Sequence, residues 1–433
     1  MRKAFALLLI LWLPTIIVAQ ANQAAQSHLL VFNHVTVIDM TGAPPKPDMS
    51  VVIQGNRIVA IGKSSKTRIP KAARVIDATR KFLIPGLWDM HVHLGDEEFD
   101  RRSFLSLFIA NGVTGVRIMR GLAEHFQWRK EIEKGMLLGP RMFIAMQIDD
   151  ESQAQASQIR EAARKAQREG ADFFKVQDNL PRDAYFALMS EARSLGLPVE
   201  GHVPRSVTAA EASEAGQKSI EHLTGLDEAK DDERKAEALI SIFRKNGTWQ
   251  CPTVNMRNNY AQLDDAGLAS DPRLKYVKPS WRERWLRMTK DAVNMPASEW
   301  TNRRELMRKE KALVARMQRA GLGLLAGTDD ANPYSYPGFS LHDELAILVE
   351  AGLTPMQALQ TATLNPAKFL KRLDSLGTVE KGKLADLVLL DANPLENISH
   401  TKRIHAVVVH GKYFAKEALQ QLLREVKAAA RKR

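Results

Sequence analysis

Cysteine is almost absent from this 433-residue chain. The single example, Cys251, excludes any internal disulfide, so the fold must rest on burial alone. Cys251 lies in the apolar run Trp249-Gln250-Cys251-Pro252-Thr253-Val254 and reads as a buried, inert thiol rather than a nucleophile. Beyond the first twenty residues no apolar run is long enough to span a bilayer, which excludes a polytopic membrane protein. Zinc-finger, RRM and homeodomain patterns are missing, so the basic excess does not point to nucleic acid. With 45% hydrophobic and 26% charged residues the composition is globular and excludes disorder or a collagen-like repeat. At about 100–200 residues per domain the length allows two to four domains, although one α/β barrel can take about 250 residues by itself.

The basic start Met1-Arg2-Lys3, the apolar stretch from Ala4 to Ala19 and the small-residue pattern Ala19-Gln20-Ala21 read as a secretory signal peptide over residues 1–21. The expectation is an exported chain, periplasmic or secreted, with no stable membrane span once the leader is cut; an uncleaved anchor is the alternative. Without Arg2 and Lys3 the net charge falls from +12 to +10, 60 basic against 50 acidic residues. Residues 416–433 hold six Lys/Arg and two Glu and predict a basic terminal helix. Such a helix could touch an anionic surface or simply be solvated.

Short β-like runs separated by turns occupy residues 22–81 and return over 376–415, predicting one small β-sandwich domain built from both ends of the chain. Residues 82–375 alternate strand-like runs with amphipathic helices, which predicts an α/β fold, a (β/α)8 TIM barrel. Its strands are expected at 82–94, 113–120, 140–148, 171–178, 197–204, 219–224, 248–254 and 321–329. The gap between the last two is too long for one βα unit, so residues 255–301 form a helical insertion, either a lid or a packed peripheral pair.

His91 and His93 lie two apart on the first strand and so point to one face. Neutral imidazole is the commonest transition-metal ligand, and barrel chemistry gathers at the C-terminal ends of the strands. His202, His222 and Asp329 end the fifth, sixth and eighth strands, and all five side chains converge if the barrel assignment holds. Lys175, in Phe173-Phe174-Lys175-Val176 on the fourth strand, is an ammonium aimed at a cation site. Carbamylation by carbon dioxide resolves that conflict and makes a bridging carboxylate suited to two divalent metal ions, with zinc the expected metal. The alternative pairs Lys175 with Asp178 or another carboxylate at the strand end.

The chain resembles the amidohydrolase superfamily, closest to imidazolonepropionase-like and prolidase-like members. The resemblance rests on Ile84-Pro85-Gly86-Leu87-Trp88-Asp89-Met90-His91-Val92-His93, on Asn111-Gly112-Val113-Thr114, on Gly327-Thr328-Asp329, and on Gly382-Lys383-Leu384-Ala385-Asp386-Leu387-Val388 followed by His410-Gly411-Lys412. It implies that His91, His93 and Asp329 bind the more buried metal, that His202 and His222 bind the second, and that Lys175 bridges them as a carboxylysine. Two motifs depart from relatives: Val116-Arg117-Ile118-Met119-Arg120 in strand two, and Gln147-Ile148-Asp149-Asp150-Glu151 where relatives often carry Gly-Gly-His. Both departures lie near the expected substrate face.

The expected reaction is hydrolysis of an amide or peptide bond in a small molecule, such as a dipeptide or N-acyl amino acid. Asp329 passes a proton from the attacking water to the leaving amine. A cyclic amide, lactone or phosphotriester suits the same donor set, and a non-catalytic binding protein on a degenerate barrel is the remaining alternative. Deamination is disfavoured because Gly201-His202-Val203-Pro204-Arg205 lacks a His-x-x-Glu pair. Arg117, Arg120 and Arg205 are candidates to clamp a substrate carboxylate or, alternatively, salt-bridged rim residues; Tyr334 and Tyr336 follow strand eight, and His342 is a candidate to contact substrate or support the site, with a helix-cap or core role the alternative. The remaining histidines (28, 34, 125, 400, 405, 410) are expected to be structural or exposed. A homo-oligomer is compatible with all of this.

Overall fold

Alternation with period two decides the small domain. In the computed structural model, which describes residues 29–95, 97–148 and 155–431, both chain ends join one eight-stranded sheet. The expected leader, residues 1–21, lies outside the described residues, as do Asp149, Asp150 and Glu151 of the shortened loop. The sheet runs Lys412–Ala415, Ile404–Val409, Leu387–Leu390, Phe82–Pro85, Leu29–Val37, Lys46–Gln54, Arg57–Lys63, with Arg74–Asp77 branching from Leu29–Val37. Most pairs are antiparallel; Leu29–Val37 is parallel to Arg74–Asp77 along its first half and to Phe82–Pro85 near its end. Leu387, Leu389, Ala406 and Val408 face the small domain's own core with Phe32 and Val51. Their neighbours Val388, Leu390, Val407 and Val409 face the main core of the barrel unit. One sheet therefore serves two cores, which ties the two units together.

The middle of the chain forms a parallel seven-stranded sheet in sequential order: Leu87–Val92, Val113–Ile118, Arg141–Gln147, Phe173–Val176, Val199–Gly201, Ser219–Glu221 and Trp249–Cys251. The eighth strand expected at 321–329 is reduced to a single bridge, Gln250 with Leu324. Closure comes instead from individual bonds: Leu325 N–H donates to Gln250 O at 2.9 Å, Met90 N–H to Ala326 O at 2.9 Å and Asp329 N–H to His91 O at 2.8 Å. Glycine is required at 323, where Gln250 N–H donates to its carbonyl at 3.0 Å, because a Cβ there would lie 2.3 Å from the Trp249 indole. Helices pack outside this sheet. Ala156–Glu169 shows the logic, with Ile159, Ala163 and Ala166 buried on one stripe and charged residues elsewhere.

The 255–301 excursion contains helix Val254–Ala261, two short 3-10 turns, helix Pro279–Ala292 and the start of helix Ala297–Arg319. Leu263, Leu274, Val277, Trp285 and Trp300 form its own apolar core. The C-terminal helix Lys416–Ala429 buries Leu419 and Val426 and packs on helix Glu98–Ala110. Among the described residues no helix is long and apolar enough to cross a membrane.

Candidate metal centre

The strand ends bring the expected side chains to one place. His91 lies fully buried on the first strand and His93 just beyond its end, with ring centroids 5.3 Å apart. His91 and His222 are 4.5 Å apart, and His202 and His222 are 5.0 Å apart. Asp329 sits among them: its Oδ1 is 3.0 Å from His93 Nε2 and 3.5 Å from His91 Nε2, while its Oδ2 is 3.8 Å from His222 Nε2. The chain turns sharply to present these groups. His222, Thr253 and Asp329 all adopt left-handed φ, at 58°, 49° and 50°. Such conformations cost roughly 1–3 kcal/mol each in non-glycine residues and concentrate at functional sites. Gly201 is required beside them, because a Cβ there (φ +127°) would lie 2.4 Å from Val176 O and 2.8 Å from Lys175 Cδ.

Each of three imidazoles is oriented through its Nδ1. His91 Nδ1 donates to Glu221 Oε2 at 2.8 Å, and His202 Nδ1 donates to Asp178 Oδ1 at 2.7 Å. His222 Nδ1 donates to Thr253 Oγ1 at 2.6 Å, and that hydroxyl spends its own proton on Pro252 O at 2.8 Å. An acceptor on Nδ1 fixes the proton there and leaves a lone pair on each Nε2, the tautomer that binds metal. Burial pushes the His91 pKa down to about 4, lowers that of His202, and holds His222 well below its ordinary range. Burial alone raises the Asp329 carboxyl, but the surrounding imidazoles outweigh it and hold the group well below the usual carboxylate range.

His91 Nε2 is buried and has no hydrogen-bond partner, and the donor atoms of His91, His93 and Asp329 lie within 4.8 Å of one another. An orphaned buried lone pair between a second imidazole and a carboxylate is what a divalent cation satisfies, so these residues fit a metal. Lys175 is buried and lines the same cavity, and burial brings its ammonium down to about 8. The alternative pairing with Asp178 is not what the structure shows: Asp178 is bonded to His202, and among the described residues Lys175 forms no ion pair. The cavity measures about 410 Å³ and is also lined by Gln177, Thr224, Met256, Arg257, Tyr260 and Asn332.

Five expected substrate contacts are placed elsewhere. Arg117 points into the barrel, but one layer below the mouth. It is fully buried and donates to Met90 O at 2.6 Å, Glu200 at 2.7 Å, Ser219 Oγ at 3.0 Å and both Glu221 oxygens at 2.9 Å. It therefore holds Glu221, and through it His91, and does not reach the cavity. Arg120 and Arg205 are exposed and do not line the cavity. Tyr334 is buried in the insertion core, its hydroxyl paired with those of Thr289 and the Trp285 carbonyl. His342 bonds Thr401 Oγ1 at 3.0 Å and Asn111 O at 3.1 Å, joining a barrel helix to the small domain. Cys251 is buried with its thiol pushed well above the ordinary range by desolvation.

Sequence reasoning missed the groups behind the ligands. Thr253 and the Arg117–Glu221 pair carry no recognisable spacing. Asp89 accepts from His91 N–H at 3.2 Å, Thr328 N–H at 3.1 Å and Thr328 Oγ1 at 2.7 Å, and Asp330 accepts from His93 N–H at 2.8 Å. Burial raises Asp89 to about 7 and Asp330 well above the carboxylate range. Arg257 and Tyr260 had one available signal: they sit three apart on the helix that leaves the seventh strand's C-terminal end.

Comparison with known proteins places the fold and the family. The amidohydrolase family model matches residues 82–413. Ochratoxinase from Aspergillus niger is 24% identical over 424 aligned positions, covering 82% of this chain and 79% of its own. A 5-methylthioadenosine/S-adenosylhomocysteine deaminase from Thermoanaerobacter pseudethanolicus is also 24% identical, covering 87% and 89%. Among solved structures, bottromycin amidohydrolase superposes with a TM-score of 0.76 at 24% identity over 98% of this chain and 95% of its own. A Xaa-Pro dipeptidase superposes with a TM-score of 0.69 at 22% identity over 89% and 100%. The chain belongs to the amidohydrolase family and is a hydrolase.

Proposed function

We propose that this protein is an exported, metal-dependent hydrolase that cleaves an amide or peptide bond in a small molecule, a dipeptide or an N-acyl amino acid. The carrying observation is Asp329, whose two oxygens face His93 and His91 on one side and His222 on the other, at 3.0, 3.5 and 3.8 Å. His91, His93 and Asp329 would hold one divalent cation, zinc by donor type, and His202 and His222 a second. Lys175 would join them as a carbamate: its neutral amine attacks carbon dioxide, an N–C bond forms and one proton leaves to water. When bound, such a pair of cations supplies Lewis acidity toward a carbonyl oxygen and acidifies water.

The chain's own residues supply the rest. Asp329 stays ionised at neutral pH and is placed to accept the proton of an attacking water and return it to the leaving nitrogen. Glu221, Asp178 and Thr253 keep three imidazoles in the tautomer with a free Nε2. Relatives described as a dipeptidase, an amidohydrolase and an ochratoxinase support the reading. The expected leader supports export. The test is metal analysis of the purified mature protein followed by a dipeptide and N-acyl amino acid panel. About two metal equivalents per chain and turnover on that panel are expected. Metal-free protein that hydrolyses neither class refutes the proposal.

A further inference from the structure

Helix Val254–Ala261 starts without the cap that its own sequence offers. Thr253 stands at the N-cap position and is a preferred residue type there, yet it holds a left-handed φ of 49° and its side chain makes no bond to the helix. Its hydroxyl is committed elsewhere, accepting from His222 Nδ1 at 2.6 Å and donating to Pro252 O at 2.8 Å. The opening N–H groups of a helix have no partner within it, and here the residues that carry them, Val254 and Asn255, are buried. A buried N–H without an acceptor is costly, so another group has to supply one.

That group lies 90 residues further along the chain. Glu344 Oε1 accepts from Val254 N–H at 3.2 Å, and its Oε2 accepts from Asn255 N–H at 2.6 Å. Glu344 is fully buried on helix Phe339–Glu350, and among the described residues no cation pairs with it. Burial pushes its carboxyl up to about 8, and the two N–H donors act against that rise. A carboxyl oxygen pair facing the positive end of a helix is placed to hold that end. The helix so held carries Met256, Arg257 and Tyr260 in the cavity wall. We propose that Glu344 is a positioning residue: it takes over the capping of helix Val254–Ala261 and thereby frees the Thr253 hydroxyl to hold His222 in the tautomer with an open Nε2. This deepens the metal-dependent reading above and rests on it for the consequence in metal affinity, not for the tautomer.

The experiment reads the tautomer directly, on metal-free protein, by ¹⁵N NMR of labelled histidines, with the His222 signal assigned from its loss in His222→Gln. Zinc affinity is read by chelator competition, and stability by melting temperature. Wild-type protein is expected to carry the His222 proton on Nδ1. Glu344→Leu leaves both N–H groups without an acceptor and is expected to give mixed tautomers, about tenfold weaker zinc binding and a melting temperature lower by about 3–7 °C. Glu344→Gln keeps one acceptor oxygen and is expected to fall between; if the leucine variant does not fold, this variant carries the same readings. Because Glu344 acts through Thr253, adding either substitution to Thr253→Val is expected to change neither tautomer nor zinc affinity further. A lowered melting temperature with native tautomer and native affinity overturns the proposal and leaves Glu344 a purely structural group. Additive losses in the double variants overturn it too. Mixed tautomers in the Glu344 variants of a protein that binds no zinc uphold the Glu344 assignment and overturn the metal-dependent reading.

Discussion

Replacing Arg117 by methionine isolates the energetics beneath the candidate metal centre. Arg117 and Glu221 are fully buried, and Glu200 is nearly so. Lys218 reaches Glu200 only at 3.8 Å, and among the described residues Arg117 is the one cation ion-paired with Glu221, whose other partner is the neutral imidazole of His91. Burial alone would raise the Glu221 carboxyl; Arg117 chiefly, with His91, holds it far below its ordinary range. Breaking a buried pair from one side costs about 3–5 kcal/mol, because the remaining carboxylate is stranded. With an unfolding entropy of about 2.1 cal/mol/K per residue, roughly 400 residues give about 0.8 kcal/mol/K, so the melting temperature should fall by about 4–6 °C. Glu221 would then take up a proton and lose its grip on His91 Nδ1, and metal affinity should fall about 10- to 100-fold. Calorimetry of the metal-free protein and chelator competition read the two effects separately. The double variant Arg117→Met/Glu221→Gln removes the stranded charge and should recover about half of the lost stability. An additive loss in the double variant, or an Arg117→Met protein with native stability and native metal affinity, would falsify this account of the layer.

Four further outcomes follow from the same geometry. Lys175 is charged below about 8 and neutral above it, so a carbamate signal from ¹³C-labelled bicarbonate should grow as pH rises from 7 to 9 and be missing in Lys175→Ala; a pH-independent or unchanged signal refutes the assignment. Asp329→Asn should keep the fold by circular dichroism while kcat drops on the order of 10²–10⁴-fold, and a mild loss removes Asp329 from the proton path. Thr253→Val keeps the β-branched shape but deletes the acceptor on His222 Nδ1; zinc affinity should weaken about tenfold, and an unchanged affinity shows that the tautomer is set otherwise. Gly201→Ala should cost about 3 kcal/mol through its positive φ and the contact with Val176 O, and a melting curve matching wild type contradicts that strain.

Strand parity made much of the site legible. His91 and His93 announce themselves by spacing, and His202, His222, Lys175 and Asp329 fall at the ends of successive apolar runs. Parity gives a face, however, and not a depth. Arg117 faces the barrel axis as its position demands, yet it sits a layer below the opening, and a one-dimensional pattern carries no coordinate along that axis. Tyr334 and His342 follow the Asp329 turn in sequence, but the insertion and the small domain respectively absorb them, which depends on contacts over 45 and 59 residues. The eighth strand was readable as an apolar run, yet it pairs through a single bridge and individual bonds, a distinction that apolar patterning does not carry. The orienting groups Glu221, Asp178 and Thr253 are common residue types whose meaning is purely spatial.

The strand Phe82–Pro85 lies between Leu29–Val37, which precedes it, and Leu387–Leu390, which follows it by some three hundred residues. During synthesis its second edge therefore waits for some three hundred residues of barrel to emerge before it is covered. A chain stopped near residue 375 would keep that edge open beside the strand that carries His91, ready to pair with another copy. Truncations aimed at trimming the tail should thus fail by aggregation well before they reach anything catalytic.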